Sequence, residues 1–156
     1  MGIYLDDITK LPERVQLLLQ AAHDVAPRAY NRYSHFLVGA AVESRTGSIY
    51  VGTFMENASY GMTICAEPAA LLAANSAGDR VINALAVVGG PSRGGSQGDV
   101  VTPCGRCRQI YLEATDIAGR DIEIYCGNAD LSRILVATVY ELLPYAFGPA
   151  ATRNTE

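Results

Sequence analysis

Three cysteines constrain this chain more tightly than any other feature. Cys65 opens Cys65-Ala66-Glu67, and a second segment reads Pro103-Cys104-Gly105-Arg106-Cys107. Both segments lead into runs that read as helices. A C-x-x-C at a helix start lets two thiolates share one ion, because the unpaired backbone N–H groups there favour anionic sulfur. Cys65 has the same local setting on the other helix. If the two helix N-termini converge, Cys65, Cys104 and Cys107 surround one Zn²⁺ and leave a fourth position open. A catalytic zinc needs that opening for water. Glu67 lies about 200° around the helix from Cys65. It is therefore turned away from the ion as a ligand, but it can approach the water, take its proton and pass that proton to a substrate.

Other uses of these cysteines fit the sequence less well. A thioredoxin-type redox pair would leave Cys65 and Glu67 without a role. A closed structural zinc site needs a fourth protein ligand, and Cys126, His23 and His35 are not in ligand-type spacing. Cys126, inside an apolar strand, reads as a core residue. His23 reads as a surface residue of the first helix.

The remaining pattern says what carries these segments. Leu11, Val15, Leu18, Leu19, Ala22 and Val25 recur at helical spacing, with Pro12 at the start and Ala26-Pro27 at the end. Phe36–Val42 and Ser48–Phe54 are apolar and β-branched around Arg45-Thr46-Gly47, which predicts a hairpin. Cys65–Ala77 reads as a buried helix, Ile82–Val88 as a buried strand and Gly89–Asp99 as a loop. Cys104–Ala114 reads as a short helix, Asp121–Cys126 and Ile134–Val139 as strands, and Tyr140–Leu143 as a short helix stopped by Pro144. Strands alternating with helices predict an α/β fold: a three-layer α/β/α sandwich on a mixed sheet of about five strands, antiparallel at the hairpin and parallel across the later crossovers. Residues 1–156 are expected to form a single domain with a disordered tail over 150–156.

Composition narrows the function. Of the 156 residues, 49% are hydrophobic and 18% charged, which predicts a compact fold. The formal net charge is −4, with 12 Lys and Arg scattered among 16 acids. Binding to a nucleic-acid backbone requires clustered cations, so a small neutral substrate is expected and a nucleic-acid partner is not. No apolar run is long enough to span a membrane. The N-terminal residues lack the basic and apolar pattern of a secretory signal, and a cytoplasmic, reducing setting is expected.

These motifs match the zinc deaminase pattern, including its three-cysteine variant and its non-ligand Glu. Across about Ala29 to Pro149 the chain resembles the small, homotetrameric class of cytidine deaminases. Tyr33-Ser34, Phe36 and Val38-Gly39-Ala40-Ala41 resemble that family's first strand, and Glu56-Asn57-Ala58 with Tyr60 its sugar-binding turn. The two cysteine segments, extended by Arg108-Gln109, resemble its zinc motifs. Glu141-Leu142-Leu143-Pro144 and Phe147-Gly148-Pro149 resemble its C-terminal end. The resemblance implies one Zn²⁺ per chain and hydrolytic deamination of a cytosine nucleoside to the uracil nucleoside. It implies that Phe36 packs on the pyrimidine ring, although a core Phe is an equal reading of that residue. It also implies that Glu56 accepts a bond from a ribose hydroxyl, where the plain alternative is an exposed loop acid. Glu67 would bond the ring nitrogen, and the Ala66 N–H and the Thr102 carbonyl would hold the base and the leaving ammonia. Tyr60 and Phe147 would reach a neighbouring subunit's site, which implies a homotetramer.

Three departures accompany the resemblance. Phe54 stands where the family usually has Asn, which raises the possibility of a different or modified sugar. Pro68 stands where the family usually has Arg. Arg106 is then the candidate to offset the thiolate charge, unless it simply faces solvent. The Gly89–Asp99 loop is longer than in close relatives. Pro68 and Arg106 are also features of blasticidin S deaminases, which makes such a substrate the nearest alternative. A zinc-containing nucleoside-binding module without turnover is the alternative of another class.

Overall fold

The computed structural model describes residues 2–92 and 98–148. Residues 93–97 of the expected Gly-rich loop and the expected tail over 150–156 lie outside the described residues.

Among the described residues six strands form one mixed sheet: β1 (Ile3–Leu5), β2 (Phe36–Ser44), β3 (Ile49–Thr53), β4 (Ile82–Pro91), β5 (Glu123–Gly127) and β6 (Ile134–Thr138). Their order is β1-β6-β5-β4-β2-β3. β4 and β5 run parallel, and every other neighbouring pair is antiparallel. The sixth strand, β1, pairs with β6 at the edge (Ile3 opposite Val136, Leu5 opposite Ile134). With three residues, two of them exposed, it carries too little alternation to stand out in the sequence.

Among the described residues four α-helices complete the layers: α1 (Glu13–Val25), α2 (Ala66–Ser76), α3 (Gly105–Ala118) and α4 (Val139–Leu142). Val15, Leu18, Leu19, Ala22 and Val25 are the buried stripe of α1. Val15, Leu18, Leu19 and Ala22 pack with Ala41, Ala84, Ala86 and Val88 on one face of the sheet. The other face carries Ala40, Val42, Leu85 and Val87, packed against Ala66, Ala70 and Ala74 of α2 and Tyr111 and Ala114 of α3. Side chains of a strand alternate between faces, so β2 and β4, covered on both, are apolar almost throughout. The result is the expected α/β/α sandwich.

Two elements run further than the sequence suggested. β4 continues through Gly89, Gly90 and Pro91, where a loop is expected, because the start of β2 offers its backbone there: Leu37 lies opposite Gly90 and Phe36 opposite Pro91. α3 runs to Ala118 and ends at Gly119, whose φ of 68° is the left-handed cap that glycine adopts without strain.

The C-terminal ends of β3, β4 and β5 lie at one end of the sheet, beside the N-terminal start of β2. α2 follows β3 and α3 follows β4, so both helices begin at that end. Gly52 lets α2 seat closely on β3, since a Cβ there would overlap the amide of Ala70 and the carbonyl of Ala66.

Candidate active site

Cys65 is the N-cap of α2 and Cys104 the N-cap of α3, both with extended backbone, and neither caps its helix through its side chain. The sulfurs are thereby left free to face one another. Cys107, one turn into α3, is fully buried. The three Sγ atoms lie within 4.8 Å of one another, and Cys104 and Cys107 are 3.6 Å apart. Zinc–sulfur bonds of about 2.3 Å in a tetrahedron put sulfurs about 3.8 Å apart, so the spacing suits one Zn²⁺.

The electrostatics agree. The Cys65 thiol is lowered to about 7, first by its hydrogen bond with Cys107, against burial and the nearby charge of Glu67, with smaller help from Cys104 and Arg106. The same contact pushes the Cys107 thiol up, as does its burial. Three sulfurs this close cannot all ionise unaided, and a dication at their centre resolves the conflict. Arg106 is exposed on the first turn of α3.

Glu67 is 4% exposed in the first turn of α2. Burial raises its carboxyl pKa, against bonds from its own backbone and from Cys107. A carboxyl pushed upward in this way holds a proton more readily than a solvated one, as a proton carrier must. Ala66 is fully buried beside it, and Thr102 is half-buried two residues before Cys104. Phe36 is half-buried at the start of β2, on the sheet face toward α2, its N–H bonded to Ser34 Oγ at 3.1 Å.

Glu56 is not the exposed loop acid of the plain alternative. It is 7% exposed, and its carboxylate accepts the Tyr33 N–H at 2.7 Å and the Ser34 N–H at 3.1 and 3.3 Å. Burial would raise its pKa, but these bonds, with a lesser contribution from His35, hold it below the usual carboxylate value. Tyr60 and Phe147 carry their rings largely in solvent. They are 72% and 67% exposed, and Tyr60 meets Tyr33 edge-on with ring centroids 5.9 Å apart.

Sequence reasoning assigned no role to Arg108 and Gln109, although both stand in the second cysteine motif. Arg108 donates from Nε to the Pro103 carbonyl at 2.7 Å and from Nη1 to the Leu142 carbonyl at 3.1 Å. Gln109 donates to the Phe147 carbonyl at 2.8 Å. The two side chains tie the C-terminal segment to the cysteine loop. Their partners are 34 and 38 residues away, which spacing alone does not disclose.

Comparisons with known proteins agree with this geometry. Residues 12–118 match the family model for the cytidine and deoxycytidylate deaminase zinc-binding region. The chain is 43% identical over 134 residues to the cytidine deaminase of Halalkalibacterium halodurans, covering 85% of this chain and 92% of that one. It is 35% identical over 135 residues to the probable cytidine deaminase of Dictyostelium discoideum, covering 86% and 84%. The crystal structure of the cytidine deaminase from Burkholderia pseudomallei superposes with a TM-score of 0.74 at 35% identity, over 88% of this chain and 100% of that one.

Proposed function

The chain belongs to the cytidine and deoxycytidylate deaminase zinc-binding family, and from that membership we propose the following division of labour among its residues. The protein is a zinc-dependent aminohydrolase that converts a cytosine nucleoside to the uracil nucleoside and ammonia. The observation that carries this reading is the meeting of three thiols beside one buried carboxyl. The relatives favour it over a blasticidin S substrate and over a binder without turnover.

Cys65, Cys104 and Cys107 would hold the Zn²⁺, which supplies Lewis-acid activation of water when bound. Glu67 takes one proton from the attacking water and places it on the ring nitrogen, then takes the remaining proton from the new hydroxyl at C4 and delivers it to the departing amino group. A C–O bond forms at C4 of the base, the C–N bond breaks, and ammonia leaves. The burial of Glu67 supports this role, because a carboxyl away from bulk water keeps its proton for the substrate. The Ala66 N–H and the Thr102 carbonyl would orient the base, and Phe36 would pack on its ring. Arg106 would offset part of the thiolate charge. Three neighbouring free thiols suit a reducing compartment such as the cytoplasm. No helix among the described residues is long and apolar enough to cross a membrane.

Tyr60 and Phe147 would enter a neighbouring copy's site in a homotetramer. Their exposure supports this, as does the apolar groove of about 340 Å³ between α2 and α3, lined by Pro68, Leu71, Leu72, Ile110 and Ile117.

Incubating the zinc-loaded protein with cytidine should yield uridine and ammonia one for one, and sedimentation of the same preparation should give four chain masses. Absence of ammonia sinks the activity, and an active monomer sinks the shared site.

A further inference from the structure

Of the three thiols, Cys107 is buried in α3 and Cys65 is half-buried at the start of α2, but Cys104 is exposed. Packing of its own side chain therefore does not fix where its sulfur points, and the backbone before it must. Cys104 has φ −67° and ψ 167° at the cap of α3, so the aim of its side chain follows the Pro103–Cys104 peptide plane. A proline ring locks its own φ, and the residue before a proline is confined to extended backbone. One soft torsion is left, ψ of Pro103, and it turns the Pro103 carbonyl. Pro103 is buried, and its carbonyl stands one residue before the cap, outside the ladder of α3. A buried carbonyl in that place needs a partner from elsewhere.

Arg108 is that partner. Its backbone N–H joins the Cys104 carbonyl at 2.9 Å, one turn into α3. Its Nε turns back to the Pro103 carbonyl at 2.7 Å, and its Nη1 donates to the Leu142 carbonyl at 3.1 Å. Leu142 is the last residue of α4, and the carbonyls that end a helix have no partner within it. A guanidinium holds its donors in a rigid planar fork, so a bond to each carbonyl sets one against the other. We infer that Arg108 is a positioning residue for the metal: it fixes the remaining torsion of Pro103, holds Cys104 at its ligand position, and uses the end of α4 as its anchor. This role rests on the zinc reading above and adds to it a support for the one exposed ligand.

The test follows zinc release from the loaded protein to an excess of the chelator 4-(2-pyridylazo)resorcinol, well below the melting temperature of each variant. Arg108→Lys keeps the charge, but a single ammonium lacks the fork that spans both carbonyls. It should release zinc about tenfold faster or more, the scale of one lost hydrogen bond to a charged group. Gln109→Ala cuts the neighbouring tie from α3 to the Phe147 carbonyl and should release zinc at the wild-type rate. Pro103→Gly unlocks the torsion that the ring holds and should also speed release. Adding Arg108→Lys to it should then accelerate release by less than Arg108→Lys does alone, because both changes free the same carbonyl. Wild-type release from Arg108→Lys overturns the inference. So does equal acceleration in Gln109→Ala, which would make Arg108 one structural tie among others, and so does full additivity with Pro103→Gly. If Arg108→Lys does not fold, wild-type release from Pro103→Gly overturns it. A wild-type protein that holds no zinc overturns the metal reading together with the inference, whereas any of the other contrary outcomes overturns the inference alone.

Discussion

A methyl group at position 52 would meet the amide nitrogen of Ala70 and the carbonyl of Ala66 head-on, one residue from Cys65. Neither backbone atom can yield without moving the start of α2. Gly52→Ala should therefore cost about 1–3 kcal/mol, the usual range for overpacking, and should lower zinc content by displacing Cys65 from its partners. Thermal unfolding and metal analysis of the purified variant check this, and wild-type values for both would refute it. At this scale the sequence was most legible for the metal ligands. Cys65, Cys104 and Cys107 declare themselves because a thiolate cluster at helix starts has few other uses. Glu56 was less legible, since the amides that occupy it belong to Tyr33 and Ser34, 23 and 22 residues earlier. Its burial and partners exist only after folding.

The hairpin of β2 and β3 is fastened to the turn after α2 by one carboxylate. Asp79 Oδ2 accepts hydrogen bonds from Ser44 Oγ at 3.0 Å, Thr46 Oγ1 at 2.9 Å and Tyr50 OH at 2.8 Å. The bonds from Tyr50, then Thr46, hold the Asp79 carboxyl below its ordinary value. A folded-state pKa below the unfolded one means that stability is present above the unfolded value, near pH 4, and is lost as pH falls through the folded value. Asp79→Asn, which cannot ionise, should melt below wild type near neutral pH. The gap should close as pH drops below about 4, and a gap that stays constant down to about pH 3 contradicts the assignment. The elements themselves were largely legible: the hairpin, the α1 stripe and the starts of both helices of the cysteine motifs fall where pattern and composition put them. β1 was not, because an edge strand of three residues has almost no period to read. The end of β4 was not, because Gly89 and Gly90 signal a turn locally while the backbone of β2 holds them in the sheet.

Across the whole molecule, the topology explains why two cysteine segments far apart in sequence form one site. Each helix follows a strand whose C-terminal end lies at the same edge of the sheet, so both helix starts, with their unpaired N–H groups, converge there. The fold class and the site follow from that pattern. The surfaces that remain do not: the exposure of Tyr60, Leu72 and Phe147, at 72%, 60% and 67%, is a property of three-dimensional packing that no linear pattern conveys. In the proposed mechanism the thiols hold the metal while Glu67 moves the protons, two tasks on separate side chains. The most direct measurement is zinc content and cytidine turnover on the same sample of Glu67→Gln. We expect about one zinc per chain, as the three thiols require, with turnover reduced by about 10²–10⁴-fold or more, the scale of lost general acid–base catalysis. Turnover near wild type, or loss of the zinc with the carboxylate, would contradict the division of labour on which the mechanism depends.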